Sequence, residues 1–438
     1  MPYNPEIFKA YDIRGVYGRD FDLGFAFELG NKLGQLFKAK KLVIGEDVRT
    51  SSPVLKTELI HGALQAGFEL IDIGLATTPL FYYSVNRLKA DGGIMITASH
   101  NPAEYNGFKV VKEEAIATEG TELKTIFEAS ALVKNGQGVV SQADLTDEYV
   151  ERMLELVALP AQVKTKVVID AAGGAAGPII KKLLSRINLP GQAIFIDPDG
   201  SFSQHPPNPL ELDAQKHARI ALAQTQADFA VMFDGDADRV IFMTADGKLV
   251  DSDYILLLLS QNITKPTIVY DLRMSHSLVE NINKWGGQAI KSRVGHTFIK
   301  QLMRKHQADL GGELSGHFPV KDDSWHYSEA SILVFLKILK IVEEKQQTLA
   351  QLIKPFQKYA RSGEINFEIK DKQSVMKHLE DKYSSGLISH LDGITIEFND
   401  WWFNVRPSNT EPLLRLVVET NSQLLLEEKV SEISSIFL

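Results

Sequence analysis

The chain has 438 residues, 44% hydrophobic and 24% charged, an ordinary globular composition with room for two to four domains. Lys+Arg 47 against Asp+Glu 56 leave a net charge of −9, which argues against nucleic acid or an anionic membrane as partner but allows a local basic pocket. Cysteine is absent, so disulfides, thiolate catalysis and Cys-ligated zinc are excluded. The start, Met-Pro-Tyr-Asn-Pro-Glu, has neither the basic nor the apolar region of a signal peptide. The most apolar runs, 254–259 and 332–342, are short or carry lysine and cannot span a bilayer. A soluble cytoplasmic protein is expected.

In chain order, 41–45 reads as a buried strand, 53–67 as a helix, 69–73 as a strand, 82–89 as a helix and 92–97 as a strand. This is βαβ rhythm and predicts a mostly parallel sheet. It restarts at 166–170, with a Gly/Ala turn at 173–177, a helix through 184, and strands at 193–196 and 229–233. A third round has strands at 267–270 and 288–291, with helices at 277–285 and from 297. Residues 144–159 and 252–259 read as helical, polar spacers, and a helix over 329–344 closes the third round. From 361 the texture changes to half-buried strands at 364–369 and 393–398, a loop over 406–412, a strand at 413–419 and a helical end. The expected domains are 1–145, 146–251, 252–360 and a smaller α+β domain over 361–438.

Four loops carry chemistry. In the first, Thr97-Ala-Ser-His-Asn-Pro102, a hydroxyl at Ser99 ends a buried strand, Asn-Pro breaks the chain, and Lys109 follows. Its plain reading is a turn. His100 is adjacent in sequence, so on an extended strand its ring points away from Ser99, and it is a poor general base unless the loop bends sharply. In the second, Asp234-Gly-Asp-Ala-Asp-Arg239, three carboxylates at alternate positions can converge on one hard cation. An EF-hand fails, because its sixth and twelfth positions hold Arg239 and Ala245. Oxygen ligands and the neighbouring Arg239 favour Mg²⁺ with a phosphate; a solvated acidic turn is the alternative. The third, Gly311-Gly-Glu-Leu-Ser-Gly-His317, offers Glu313 and Ser315 to sugar hydroxyls, or is a tight turn around His317. The fourth, Arg406-Pro-Ser-Asn-Thr-Glu-Pro412 with Arg415, is a phosphate clamp or a polar turn. Neither a P-loop nor Gly-x-Ser-x-Gly is present.

These four motifs, in this order, resemble the α-D-phosphohexomutase superfamily, most of all the bacterial phosphomannomutase/phosphoglucomutase branch, over essentially the whole chain. The resemblance implies three similar α/β domains with mixed sheets and a C-terminal α+β domain of different fold, arranged around a central cleft. It implies that Ser99 carries a transferable phosphoryl group. Asp234, Asp236 and Asp238, with an oxygen of phosphorylated Ser99, would hold Mg²⁺. Arg239 would lie beside metal and sugar. Glu313, Ser315 and His317 would face the sugar. Arg406, Ser408, Asn409, Thr410 and Arg415 would hold the unreacting phosphate. Tyr11, Arg14, Lys109 and His296 match further active-site positions, with Lys109 and His296 near the proton transfers, and Arg273 stands where relatives often carry lysine.

The implied activity interconverts hexose 6-phosphate and hexose 1-phosphate through a hexose 1,6-bisphosphate, which also acts as activator. Leu314 keeps the size and polarity of the Met found in mannose- and glucose-specific relatives, so mannose is favoured with glucose accepted. The stretch Trp325-His-Tyr-Ser-Glu329 departs from the usual Asp-rich turn and bears on the strictness of sugar choice. A phosphoglucosamine mutase and a non-catalytic sugar-phosphate-binding protein are the alternatives. Expected partners are small sugar phosphates, with neither nucleic acid nor membrane, in a monomer or homodimer.

Overall fold

The computed structural model describes residues 3–37, 41–129, 131–134, 136–407 and 413–437. They form two compact units, Met1–Asp251 with Ser315–Ala350, and Ser252–Leu314 with Gln351–Leu438.

The first unit opens with β1 (Ile13–Val16), α1 (Leu23–Lys32), β2 (Lys41–Glu46), α2 (Ser52–Gln65), β3 (Glu69–Leu75), α3 (Thr78–Arg87), β4 (Gly92–Ile96), β5 (Tyr105–Lys112), α4 (Gly120–Ala129) and β6 (Val139–Gln142). The strand order is β1-β5-β4-β2-β3-β6. Strands β4, β2, β3 and β6 run parallel, while β5 and β1 return antiparallel. All five residues of β4 are buried, as expected where helices cover both faces of a sheet. Leu42, Ile44, Ile94, Ile96 and Phe108 pack with Phe25, Leu29 and Leu59 in the core. Strands β1 and β5 escape the sequence pattern because one is four residues with an internal glycine and the other carries two lysines.

The second sheet follows: α5 (Thr146–Val157), β7 (Val167–Asp170), α6 (Ala176–Arg186), β8 (Gly191–Ile194), α7 (Leu212–Thr225), β9 (Phe229–Phe233), β10 (Val240–Thr244) and β11 (Leu249–Val250). Its order is β11-β10-β9-β7-β8. Strands β9 and β10 pair antiparallel from Phe233↔Val240 outward, so the Asp-rich loop is the turn of a hairpin.

The second unit begins with α8 (Ser252–Ser260), then β12 (Thr267–Asp271), α9 (His276–Lys284), β13 (Gln288–Ser292), α10 (His296–His306) and β14 (Leu310–Gly312). Strand β12 pairs parallel with both β13 and β14. The reading of 252–259 as a polar spacer is corrected: every residue of α8 is buried, and the helix packs on α9 and β14. Its run of four leucines is a core signal that the flanking Ser and Asp obscure.

The chain then returns to the first unit with β15 (Pro319–Val320), antiparallel to β16 (Ser328–Glu329), and α11 (Ser331–Lys345), which packs on α5 and β10. Trp325 is fully buried, 5.6 Å ring to ring from both Tyr83 and Tyr149. The stretch that departs from the family pattern is therefore packed aromatic core at Trp325. After α12 (Leu349–Ile353) come β17 (Ala360–Glu368), α13 (Lys372–Lys382), β18 (Leu387–Ser389), β19 (Ile394–Glu397), β20 (Trp401–Pro407), β21 (Leu413–Thr420) and α14 (Gln423–Phe437). This sheet is wholly antiparallel, order β17-β21-β20-β19-β18, over a core of Ile396, Phe403, Leu416, Val418 and Ile433. Arg406, expected in a loop, lies instead near the end of β20, paired with Arg415 on β21. The fold class is the expected one: three α/β domains with mixed sheets and a C-terminal antiparallel-sheet domain.

Candidate active site

Ser99 follows β4 at the carboxyl end of a parallel strand, where α/β sheets place their ligand loops. It adopts φ +50°, a left-handed conformation that bends the chain sharply. The bend is the exception under which His100 comes near: its Nδ1 lies 3.2 Å from the Ser99 Oγ. The Ser99 hydroxyl donates to Asp234 Oδ2 at 2.8 Å. Burial pushes the His100 imidazole well below its usual range, and the charges of Arg239 and Arg14 push it further, so it is neutral.

Arg49 builds this loop. It is fully buried, bonded to Asp47 at 3.1 Å, and fans to four carbonyls: Ser99 at 2.8 Å, Asn101 at 2.6 Å, Pro102 at 2.5 Å and Tyr105 at 3.0 Å. Only a guanidinium offers enough fixed donors for that. Ser52 and the Arg49 backbone N–H in turn hold Asp47 at 2.7 and 3.0 Å. Sequence reading missed Asp47 and Arg49; the available signal was a second Asp-containing turn directly after a buried strand.

The metal hairpin abuts this loop. A β-carbon on Gly235 would sit 2.6 Å from the Ser99 carbonyl oxygen, so only glycine permits the approach. Asp234, Asp236 and Asp238 are all buried, and each offers an oxygen within 4.8 Å of the others. Lys109 donates to Asp236 Oδ2 at 2.7 Å and to Asp238 Oδ2 at 2.5 Å. Burial alone would lower the Lys109 ammonium, but Asp236 and Asp238 outweigh it and hold it well above the usual lysine range. Burial, then Asp238 and Asp236, push the Asp234 carboxyl well up, against a weaker pull from Arg239. Asp236 Oδ1 is buried without a hydrogen-bond partner among the described residues. Clustered oxygen donors, a strained protonation balance and an orphaned carboxylate oxygen fit a hard divalent cation.

Arg239 continues the hairpin. Its N–H bonds Asp234 Oδ1 at 3.1 Å, and its Nε donates to His317 Nε2 at 3.1 Å. His317 Nδ1 lies 3.7 Å from Asp238 Oδ1. Ser315 presents a buried Oγ that no described residue bonds. Arg14 on β1 donates to Asn101 at 2.7 Å and Asp12 at 2.6 Å, and Tyr11 is half-buried just before that strand. The first unit thus links Ser99, Lys109, the three aspartates, Arg239 and His317 by direct contacts, with Arg14 on the serine loop.

In the second unit Glu364 ties the basic residues together, accepting from Arg273 at 2.8 Å, Arg406 at 2.9 Å and Arg415 at 3.0 Å. Burial would raise the Glu364 carboxyl, but Arg273, Arg406 and Arg415 outweigh it and hold it at about 2. Arg273 also grips Asp271 and reaches Glu313 Oε1 at 3.4 Å. His296 is buried at the first turn of α10. Ser408, Asn409 and Thr410 lie outside the described residues. Glu364 was read only as a strand residue, because a lone acid on a polar strand carries no signal of three distant arginines.

Sequence models of the phosphoglucomutase/phosphomannomutase family match in series: alpha/beta/alpha domain I over 5–135, domain II over 147–247, domain III over 251–359 and the C-terminal domain over 364–435. A phosphomannomutase of Methanocaldococcus jannaschii is 39% identical over 98% of this chain and 97% of its own. One from Escherichia coli K12 is 34% identical over 96% of each. Among solved structures, a phosphoglucomutase/phosphomannomutase family protein of Burkholderia thailandensis superposes with a TM-score of 0.89 at 28% identity, over 99% of this chain and 97% of that one. An Aspergillus fumigatus N-acetylphosphoglucosamine mutase, solved with GlcNAc-6P and magnesium, shares the fold at 16% identity and a TM-score of 0.56, over 81% and 92%. Another structure of that fungal enzyme contains glucose 1,6-bisphosphate. The chain belongs to the phosphoglucomutase/phosphomannomutase family.

Proposed function

We propose that the chain is a phosphohexomutase that interconverts hexose 6-phosphate and hexose 1-phosphate, with mannose preferred and glucose accepted. The observation that carries this reading is the Ser99 hydroxyl on Asp234, against a buried cluster of three carboxylates. In the resting enzyme Ser99 would carry a phosphoryl group. The Ser99 Oγ–P bond breaks, a P–O bond forms to the free sugar hydroxyl, that hydroxyl gives up its proton, and Ser99 Oγ takes up one to become a hydroxyl again. The resulting 1,6-bisphosphate turns end for end and returns its other phosphoryl to Ser99. Such transfer needs positioning and charge compensation more than new covalent chemistry. Mg²⁺, held by Asp234, Asp236, Asp238 and a phosphoserine oxygen, would supply that compensation when bound.

The chain's own residues supply the rest. Arg49 fixes the loop that aims Ser99. Lys109, kept cationic by Asp236 and Asp238, adds positive charge beside the phosphoryl. Neutral His100 places a ring nitrogen next to Ser99 Oγ. Lys109 and His296 are assigned to the proton transfers by family resemblance. Arg406 and Arg415 would take the unreacting phosphate, exchanging Glu364 for it, and Glu313 and Ser315 the sugar hydroxyls. A hexose 1,6-bisphosphate would activate by recharging Ser99. Two phosphomannomutase relatives support the sugar assignment.

Ser99→Ala should cut isomerisation of mannose 1-phosphate by at least about 10⁴-fold, while binding of the sugar phosphate survives. A variant that isomerises at more than a tenth of the wild-type rate contradicts the reading. Side-by-side kcat/KM for mannose, glucose and glucosamine phosphates tests the sugar; a preference for glucosamine overturns that part.

A further inference from the structure

Thr78 lies outside every loop that points to the reaction. It opens α3, just after the capping residue Thr77, whose hydroxyl accepts the Leu80 N–H at 3.1 Å. The first N–H groups of a helix have no intrahelical acceptor. Thr78 spends its own on the Asp236 carbonyl, at 2.9 Å. Its hydroxyl, fully buried, donates to Asp236 Oδ2 at 2.6 Å, across 158 residues of sequence. Lys109 Nζ reaches the same oxygen at 2.7 Å and the Thr78 hydroxyl at 3.5 Å. Two donors therefore occupy Oδ2, while Oδ1 of the same carboxylate is buried and accepts from no described residue. Hydrogen bonds to the outer oxygen of a ligating carboxylate fix its rotation and hence which oxygen faces the ion.

We propose that Thr78 is a positioning residue for the cation, holding Asp236 by Oδ2 so that Oδ1 is the ligand atom. This rests on reading the three aspartates as cation ligands. The backbone bond already ties α3 to the hairpin, so the hydroxyl is not needed to join them. Its separate effect is on the carboxylate, and it should be read in metal affinity.

The experiment measures Mn²⁺ binding to metal-stripped full-length protein by the spin-resonance signal of the free ion. Wild type, Thr78→Val, Thr78→Ala and Thr78→Ser are compared, with Asp236→Asn as control. Loss of an outer-shell partner should weaken Mn²⁺ about tenfold in Thr78→Val and Thr78→Ala, with Thr78→Ser within about threefold of wild type. The Ala variant serves if Val at this buried site does not fold. Binding within twofold of wild type in the Val or Ala variant overturns the assignment, as does a Ser variant as weak as Ala. If wild type binds Mn²⁺ no better than Asp236→Asn, the cation site itself is wrong. If Asp236→Asn abolishes binding and the Thr78 variants bind normally, only the role of Thr78 falls.

Discussion

Ser99 sits at φ +50°, a region where a β-carbon crowds the following carbonyl at a cost of roughly 1–2 kcal/mol. Arg49 offsets that cost with four carbonyl contacts, and its charge is paired directly with Asp47. Arg49→Ala would leave a buried Asp47 uncompensated and four carbonyls without their donor. It should lower unfolding free energy by about 3–5 kcal/mol in denaturant titration; a loss below about 1 kcal/mol would contradict the clamp. The serine, the Asp triplet, Arg239 and the Arg406/Arg415 pair could be read from sequence because their residue types are unusual beside buried strands, whereas Arg49 was missed. His100 could not, because its direction depends on a backbone dihedral that sequence does not print. Nor could Thr78, since a threonine before a proline at a helix start is an ordinary capping pattern.

Among the elements, the parallel strands β2, β4, β7, β9 and β12 were legible as apolar runs bounded by Gly or Asp. Strands β1 and β5 were not, because a short edge strand and a lysine-bearing strand lack such runs; β20, an interior strand, was not because Asn404 and Arg406 interrupt its apolar run, and α8 looked like a spacer though it is core. The segment after β8 shows how elements support the hairpin. A β-carbon on Gly235 would meet Phe202 at 3.3 Å and Pro207 at 3.4 Å, and between these His205 is buried. The His205 ring faces an acceptor on each side, Asp170 Oδ1 at 3.2 Å and the Pro206 carbonyl at 2.7 Å, which suits an imidazolium. Burial would lower it, but Asp170 outweighs that and raises it above its usual 6.5. A raised histidine stabilises fully below pH about 6.5 and loses that contribution as pH rises through its folded value. Wild type should therefore lose more stability than His205→Gln between pH 6 and 9, followed by thermal melting. Parallel pH profiles would refute the ion pair.

At the scale of the whole molecule, the four family matches run in order along the chain, while compactness groups Ser315–Ala350 with the first unit and Gln351–Leu438 with the second. Sequence rhythm reports strand order along the chain and cannot report such regrouping, which depends on which helix packs where. The buried aspartates couple ion binding to the stability of the first unit. Saturation at about 100 times Kd would add about 2.7 kcal/mol, a rise in Tm of roughly 5 °C. The Asp234 carboxyl is raised in the metal-free fold, so protons compete with the ion above the ordinary carboxylate range. The Mg²⁺-induced rise should shrink as pH falls toward 5 and vanish in Asp234→Asn. A pH-independent rise that persists in that variant would place the ion elsewhere.

The proposed reaction requires Ser99 to carry a phosphoryl group and pass it on. Intact-mass measurement of the purified enzyme, with peptide mapping, after charging with hexose 1,6-bisphosphate and again after one turnover's worth of mannose 1-phosphate, tests it most directly. One added phosphate on Ser99 is expected, present after charging, surviving in the absence of sugar and exchanging when mannose 1-phosphate is added. Full isomerase activity with Ser99 unphosphorylated throughout, or with the phosphate on another residue, would contradict it.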